Sequence, residues 1–161
     1  MTVMGLTKTF SMGGWRVGFV NGSAEVISSM VKLQQHLITC AGSFVQAGAA
    51  MAYGETPHPE VLEMWVDWEK KCEFMSSELD SIPGVSCRMP EGGFYAWPDV
   101  SALGLPSVEL AEKLMSEEHV AVVPGSSFGP NGEGYLRITC VKSWDDIKEG
   151  VKRIKKGLAK A

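Results

Sequence analysis

Two side chains near the start of the chain have the types and spacing for joint chemistry. Lys8 and Arg16 lie eight residues apart in Thr7-Lys8-Thr9-Phe10-Ser11-Met12-Gly13-Gly14-Trp15-Arg16-Val17-Gly18, across a Gly-Gly step. A lysine amine condenses with an aldehyde to form a Schiff base, provided it is first deprotonated. Burial or a neighbouring cation is what shifts such an amine toward its neutral form. Arginine presents a flat fork of donors suited to phosphate oxygens. A second arginine, Arg137, follows the loop Pro124-Gly125-Ser126-Ser127-Phe128-Gly129 and sits in Gly134-Tyr135-Leu136-Arg137-Ile138. On a strand, its planar fork can take both oxygens of one carboxylate. Taken singly, each of these charges is better read as a solvated surface group. The patterns around them single them out.

Other chemistries fit less well. Gly125-Ser126-Ser127-Phe128-Gly129 satisfies G-x-S-x-G with Ser127 as nominal nucleophile. A hydrolase elbow runs strand, tight turn, helix, whereas a Pro-Asn-Gly-Glu-Gly loop and then a strand are expected here. The same loop lacks the G-K-[ST] of a phosphate loop. His36, His58 and His119 are scattered without metal spacing. Cys40, Cys72, Cys87 and Cys140 form no C-x-x-C pair, and with no secretory leader visible they read as reduced thiols of a cytosolic protein.

The elements that must position these residues follow from periodicity. Met1 to Leu6 is expected to end a buried strand, and Trp15 to Val20 to form another before the Asn21-Gly22 turn. Ser23 caps a helix over 24–37 whose face is Val26, Ile27, Met30, Val31, Leu33 and Leu37. Ser43 and Gln46 have capping-box spacing and open an Ala-rich helix to about Tyr53. After Pro57-His58-Pro59 comes a long helix over 60–81, with a seam of Val61, Trp65, Trp68, Cys72, Met75, Leu79 and Ile82. The remainder reads as an α+β unit. Strands are expected at 85–88, 94–97, 120–123 and 135–141, and helices from Ser107 and from Ser143.

The lysine segment resembles that of the fold-type I pyridoxal-phosphate aminotransferases, the aspartate aminotransferase superfamily. There the pattern is roughly Ser/Thr-Lys-x-aromatic-Ser/Ala-Met-x-Gly-Trp-Arg-Ile/Val-Gly. The Pro-Gly-Ser-x-Phe-Gly loop and Gly-Tyr-x-Arg strand resemble the same family, as does Glu91-Gly92-Gly93-Phe94-Tyr95. The resemblance covers essentially the whole chain and corresponds to the family's C-terminal portion. It implies that Lys8 holds the aldehyde of pyridoxal 5'-phosphate and later moves a proton. It also implies that Arg16 binds the cofactor phosphate and that Arg137 binds the substrate α-carboxylate. Phe94 or Tyr95 would line the substrate pocket, with plain core packing the alternative. Gly5 stands where many members carry a phosphate-binding serine, which would leave more of that task to Arg16.

The fold class implied is α/β and α+β, the C-terminal part of a PLP-dependent transferase fold. Residues 1–56 would be a remnant of the large cofactor-binding domain, 57–82 the connecting helix and 83–161 the small domain. The function implied is amino-group transfer between an amino acid and a 2-oxo acid, by a cytoplasmic homodimer. The family's phosphate loop, ring-stacking aromatic and pyridine-nitrogen acid have no counterpart in these 161 residues, so little activity is expected of this chain alone. A non-catalytic interaction fragment, or the effector part of a regulator on the same fold, is the alternative. The aspartate, alanine, aromatic and kynurenine-type members share these motifs, so the substrate stays open. Hydrophobic residues at 45% and charged residues at 21% suit a globular protein. The net charge of -4 argues against nucleic acid as partner, and no apolar run is long enough to span a bilayer.

Overall fold

A computed structural model describes residues 1–54 and 57–159. The chain divides into two compact units, Met1–Glu63 and Met64–Ala161.

In the first unit, β1 (Thr2–Gly5) pairs antiparallel with β2 (Gly18–Asn21), Gly5 opposite Gly18. Between them lie a short helix α1 (Leu6–Thr9) and a 3-10 turn at Gly13–Trp15. The second strand begins later than the apolar run suggests. The 3-10 turn is followed by Arg16 in the left-handed region, φ 53°, and the chain is not extended until past it. The expectation of a buried strand at the start does not hold. Every residue of β1 is exposed, because β2 is its one strand partner among the described residues. Helix α2 (Ala24–Leu37) has the expected bounds, yet none of its residues is buried. Helix α3 (Ser43–Ala52) starts at Ser43, but Gly42 is its N-cap and no side chain caps it. Gln46 instead donates through Nε2 to the Ala41 carbonyl at 2.7 Å.

Helix α4 (Pro59–Asp80) fits the long-helix reading to within a residue at each end. In the second unit its Cys72, Met75 and Leu79 meet the sheet and two more helices, α5 (Ser107–Glu118) and α6 (Trp144–Leu158). The sheet has the order β3 (Tyr95–Ala96), β5 (Leu136–Thr139), β4 (Val123–Pro124), all antiparallel. Residues 85–88 make one bridge, Ser86 to Asp99, rather than a full strand. Extended pairing at β4 starts at Val123, not Val120. His119 ends α5 in the left-handed region and Val120 still donates to Leu114 of that helix.

The alternation of β3 and β5 sorts the side chains. Ala96, Leu136 and Ile138 point into the core with Leu110, Leu114, Ile147, Val151 and Ile154. Each of the leucine, isoleucine and valine side chains contributes about 1.5–3 kcal/mol of transfer free energy. The odd-numbered residues Tyr95, Trp97, Tyr135 and Arg137 face outward.

Candidate functional site

The structure brings Lys8 and Arg16 onto one closed loop. The β1–β2 ladder joins the ends of the segment at Gly5 and Gly18, so Lys8 leaves from one end and Arg16 from the other. The loop is anchored from within: Leu6 is buried, its amide donates to Val17 and its carbonyl accepts from Phe10 and Met12. Tyr53, at the end of α3, sets its ring edge-on to Phe10 at 5.0 Å and to Phe19 at 5.1 Å. That fixes the aromatic two residues past the lysine. Lys8 lies in the last turn of α1 and is exposed. Arg16 donates one N–H to the Gly13 carbonyl at 2.9 Å. Five N–H groups belong to a guanidinium, so the others can meet an anion. The left-handed backbone of Arg16 costs a non-glycine residue of order 1–3 kcal/mol, as does that of Ser11 in the same loop. Both are held there by the surrounding turns. An exposed amine and a guanidinium with N–H groups to spare thus stand on one loop, the types of group that pyridoxal phosphate would need for its aldehyde and its phosphate.

In the second unit, Arg137 and Tyr95 come together. The Arg137 guanidinium carbon lies 4.6 Å from the centroid of the Tyr95 ring and 4.6 Å from that of the Phe128 ring. Such stacking favours a cation over an aromatic face and leaves the in-plane N–H groups uncovered. Among the described residues the guanidinium has no hydrogen-bond or ion-pair partner, so its fork remains available to a carboxylate. Phe128 is positioned by Trp97, edge-on at 5.4 Å, and Trp97 in turn stacks on Tyr135 at 5.7 Å. Of the two aromatics read from Glu91–Tyr95, Tyr95 faces outward to Arg137 while Phe94 turns into the core against Trp68.

The loop before Arg137 is shaped by two glycines. A side chain on Gly125 would meet the Gly132 carbonyl, and one on Gly132 would meet that of Gly125. This crossing tucks Phe128 back over the sheet. Ser127, the nominal nucleophile, is exposed on a 3-10 turn rather than at a strand-helix elbow. Among the described residues no three His, Cys, Asp or Glu side chains are grouped as a metal set. Phe128 is the site residue that pattern reading passed over as a functional group. Its signal was present, as the aromatic of Pro-Gly-Ser-x-Phe-Gly, but only the fold places it on the arginine.

The family model for aminotransferases of class I and II matches residues 1–154. The chain belongs to that family. It is similar to the aspartate aminotransferase of Pyrococcus abyssi, 38% identical over 98% of this chain and 41% of the relative. It is similar also to aromatic-amino-acid aminotransferase 2 of Thermococcus litoralis, 36% identical over 98% and 41%. Among solved structures it superposes on the aromatic aminotransferase from Pyrococcus horikoshii OT3 with a TM-score of 0.91, at 37% identity, covering 99% of this chain and 42% of that one. A PLP-bound structure from Clostridium difficile 630 gives a TM-score of 0.85 at 28% identity, covering 98% of this chain and 41% of that one. The fold is therefore that of the pyridoxal-phosphate-dependent aminotransferases. The aminotransferase chain described here spans about 41% of the length of the curated relatives it matches.

Proposed function

We propose that this chain supplies the lysine loop and the carboxylate-binding sheet of a pyridoxal-phosphate aminotransferase that moves an amino group between an amino acid and a 2-oxo acid. The observation that carries the reading is the closed loop bearing Lys8 and Arg16 between paired strands. Bound pyridoxal phosphate supplies an electron sink for the bond that breaks at the substrate α-carbon. Lys8 would hold that cofactor through Nζ and, when free, would move the substrate α-proton with the same Nζ. Arg16 would hold the cofactor phosphate with the donors that Gly13 leaves over. Arg137 takes the α-carboxylate in its plane, and Tyr95 and Phe128 keep that plane fixed. Residues 1–56 belong in this reading to the large domain, 57–82 to the connecting helix and 83–161 to the small domain.

A cytosolic homodimer is part of the proposal. Cys72, Cys87 and Cys140 are buried free thiols, which suits a reducing compartment. No helix among the described residues is long and apolar enough to cross a membrane. The stacking aromatic, phosphate loop and pyridine-nitrogen acid implied by the family resemblance would come from outside these 161 residues. Transamination by these residues alone is accordingly expected to be negligible; turnover that disappears in Lys8→Ala would overturn that part. Titration with pyridoxal phosphate, followed by borohydride reduction and peptide mapping, tests the site itself. A saturable absorbance change with the label confined to Lys8 supports the reading. Labels spread over surface lysines, without saturation, count against it.

A second reading, a non-catalytic module that self-associates, is favoured by the apolar side chains that the first unit exposes. Leu37 is 76% exposed, Phe44 77% and Met51 82%. Solution scattering that gives a monomer at high concentration would exclude it.

A further inference from the structure

A cleft on the core side of the second unit's sheet has no part in the aminotransferase reading. It encloses about 350 Å³ and is bounded by α6, the end of β5 and the segment that leads from α5 into β4. That volume lies at the lower end of the range for small-molecule sites. The base of the cleft is apolar and comes from three elements: Met75 of α4, Ile138 of β5, and Ile147 and Ile154 of α6. All four side chains are buried members of the core. Val120 and Ala121 close one side. Ile138 points into the core and Arg137 away from it, so β5 separates this cleft from the aromatic clamp around Arg137.

The charges at its mouth fall into two groups. Glu149 accepts from Arg153 Nε at 2.8 Å and lies 3.8 Å from Lys152 Nζ, so that carboxylate is already met by cations. Lys142 and Asp146 line the same cleft. Both are exposed, and neither side chain has a hydrogen-bond or ion-pair partner among the described residues, not even the other. Thr139 adds a hydroxyl to the rim and His119 an imidazole. An apolar base beneath one open cation and one open anion suits a ligand with an aliphatic body and both charges at one end.

We propose that this cleft binds a small aliphatic α-amino acid, of which leucine is the example. Its side chain rests on the apolar base, its carboxylate on Lys142 and its ammonium on Asp146. Each charge of the ligand then meets a group of opposite sign at a partly desolvated mouth, where the attraction exceeds that in open water. Each methylene covered by the base adds to the affinity. A ligand seated there touches β5 through Ile138, on the face opposite Arg137. The proposal does not rest on the roles given to Lys8, Arg16 or Arg137.

The test uses the 161-residue chain, with the Ile147 δ1-methyl resonance, identified by its loss in Ile147→Val, as the reporter. Leucine, alanine, isocaproate and isopentylamine are titrated at fixed ionic strength. Leucine is expected to saturate the shift at a concentration at least about tenfold below alanine, which lacks most of the aliphatic body. Isocaproate keeps only the carboxylate of leucine and isopentylamine only its ammonium. Lys142→Gln should weaken leucine and isocaproate by about threefold or more and leave isopentylamine unchanged. Asp146→Asn should weaken leucine and isopentylamine by as much and leave isocaproate unchanged. Both positions are exposed, and far-ultraviolet circular dichroism checks that each variant is folded. Arg137→Gln should leave the leucine shift intact. The proposal is overturned by the absence of a saturable leucine shift, or by an alanine curve within about twofold of leucine's. It is overturned as well if either variant fails to separate the acid from the amine. A leucine shift that disappears in Arg137→Gln also overturns it, because the ligand would then sit on the outer face of the sheet.

Discussion

Asp67 shows how much of this protein depends on single carboxylates placed beside cations. Its carboxylate receives Lys71 Nζ at 2.6 Å and the Trp144 indole N–H at 2.9 Å. Lys71 is buried, and its remaining neighbours include the Trp144 ring at 5.8 Å. The hydrogen bond from Lys71 holds the Asp67 carboxyl below its ordinary value of 3.8. A depressed carboxyl stabilises the fold above that ordinary value, and the contribution is lost as pH falls through the folded-state value. Asp67→Asn should cost about 1–2 kcal/mol near neutral pH. The figure sits below that for a fully buried broken pair because the aspartate side is 42% exposed. The variant should also flatten the acid limb of stability against pH, read by urea unfolding at stepped pH values. An unchanged acid limb would remove the ion pair from the account. This network was invisible in the sequence, where Asp67 and Trp144 are 77 residues apart. Lys8, Arg16 and Arg137 were visible there, because each sits in a local motif whose neighbours are read together with it.

Helix α5 starts on a borrowed cap. Pro106 is its N-cap residue and has no side chain to offer. Glu133, from the glycine-rich loop, instead accepts from the Ser107 amide at 2.7 Å and the Ser107 hydroxyl at 2.9 Å. A carboxylate at a helix start also opposes the positive end of the helix dipole. The Ser107 amide, then its hydroxyl, keep the Glu133 carboxyl below its ordinary value of 4.5. Its stabilisation is therefore present above about that pH and lost on acidification. Glu133→Gln should lower the midpoint of thermal unfolding at pH 7, and by a progressively smaller amount as the pH falls below 4.5, which calorimetry at stepped pH values can follow. A second close approach fixes α6 on α5. A side chain at Gly157 would come within 2.6 Å of Leu114 Cδ2. Gly157→Ala gains about 1 kcal/mol of helix propensity yet forces a buried leucine aside, at about 1–3 kcal/mol. A net loss of up to about 2 kcal/mol is expected in chemical unfolding; a stabilised variant would show that Leu114 has room to turn. Sequence periodicity located both helices well, since α6 has its Ser143 cap accepting from Asp146 at 3.1 Å as its spacing suggests. Periodicity did not reveal what a face is for. The apolar stripe of α2 reads like those of α5 and α6, but stays exposed, because amphipathicity records that a surface wants a partner and not whether these residues provide one.

At the scale of the molecule the two units differ in what they bury. The continuous core of nineteen hydrophobic side chains runs from Cys72 to Leu158 and belongs wholly to the second unit. Among the described residues of the first unit, three hydrophobic side chains are buried, Leu6, Met12 and Val45. Backbone ordering costs about 1–2 kcal/mol per residue; the second unit offsets that cost with apolar burial, and the first has little burial with which to do so. Local opening follows the least-packed parts of a structure. Hydrogen exchange read by mass spectrometry should therefore separate the units. Peptides from α5, β5 and α6 are expected to stay protected with a free energy near that of global unfolding. Peptides from β1, α2 and β2 should exchange at least a hundredfold faster, which corresponds to about 2.7 kcal/mol less protection. Arg137, carried by β5, would then keep its aromatic clamp while the Lys8 loop opens and closes on its own strand pair. Equal protection across the two units would mean that the first is stabilised by something other than its own burial, and would remove the basis for treating the lysine loop as the less stable element.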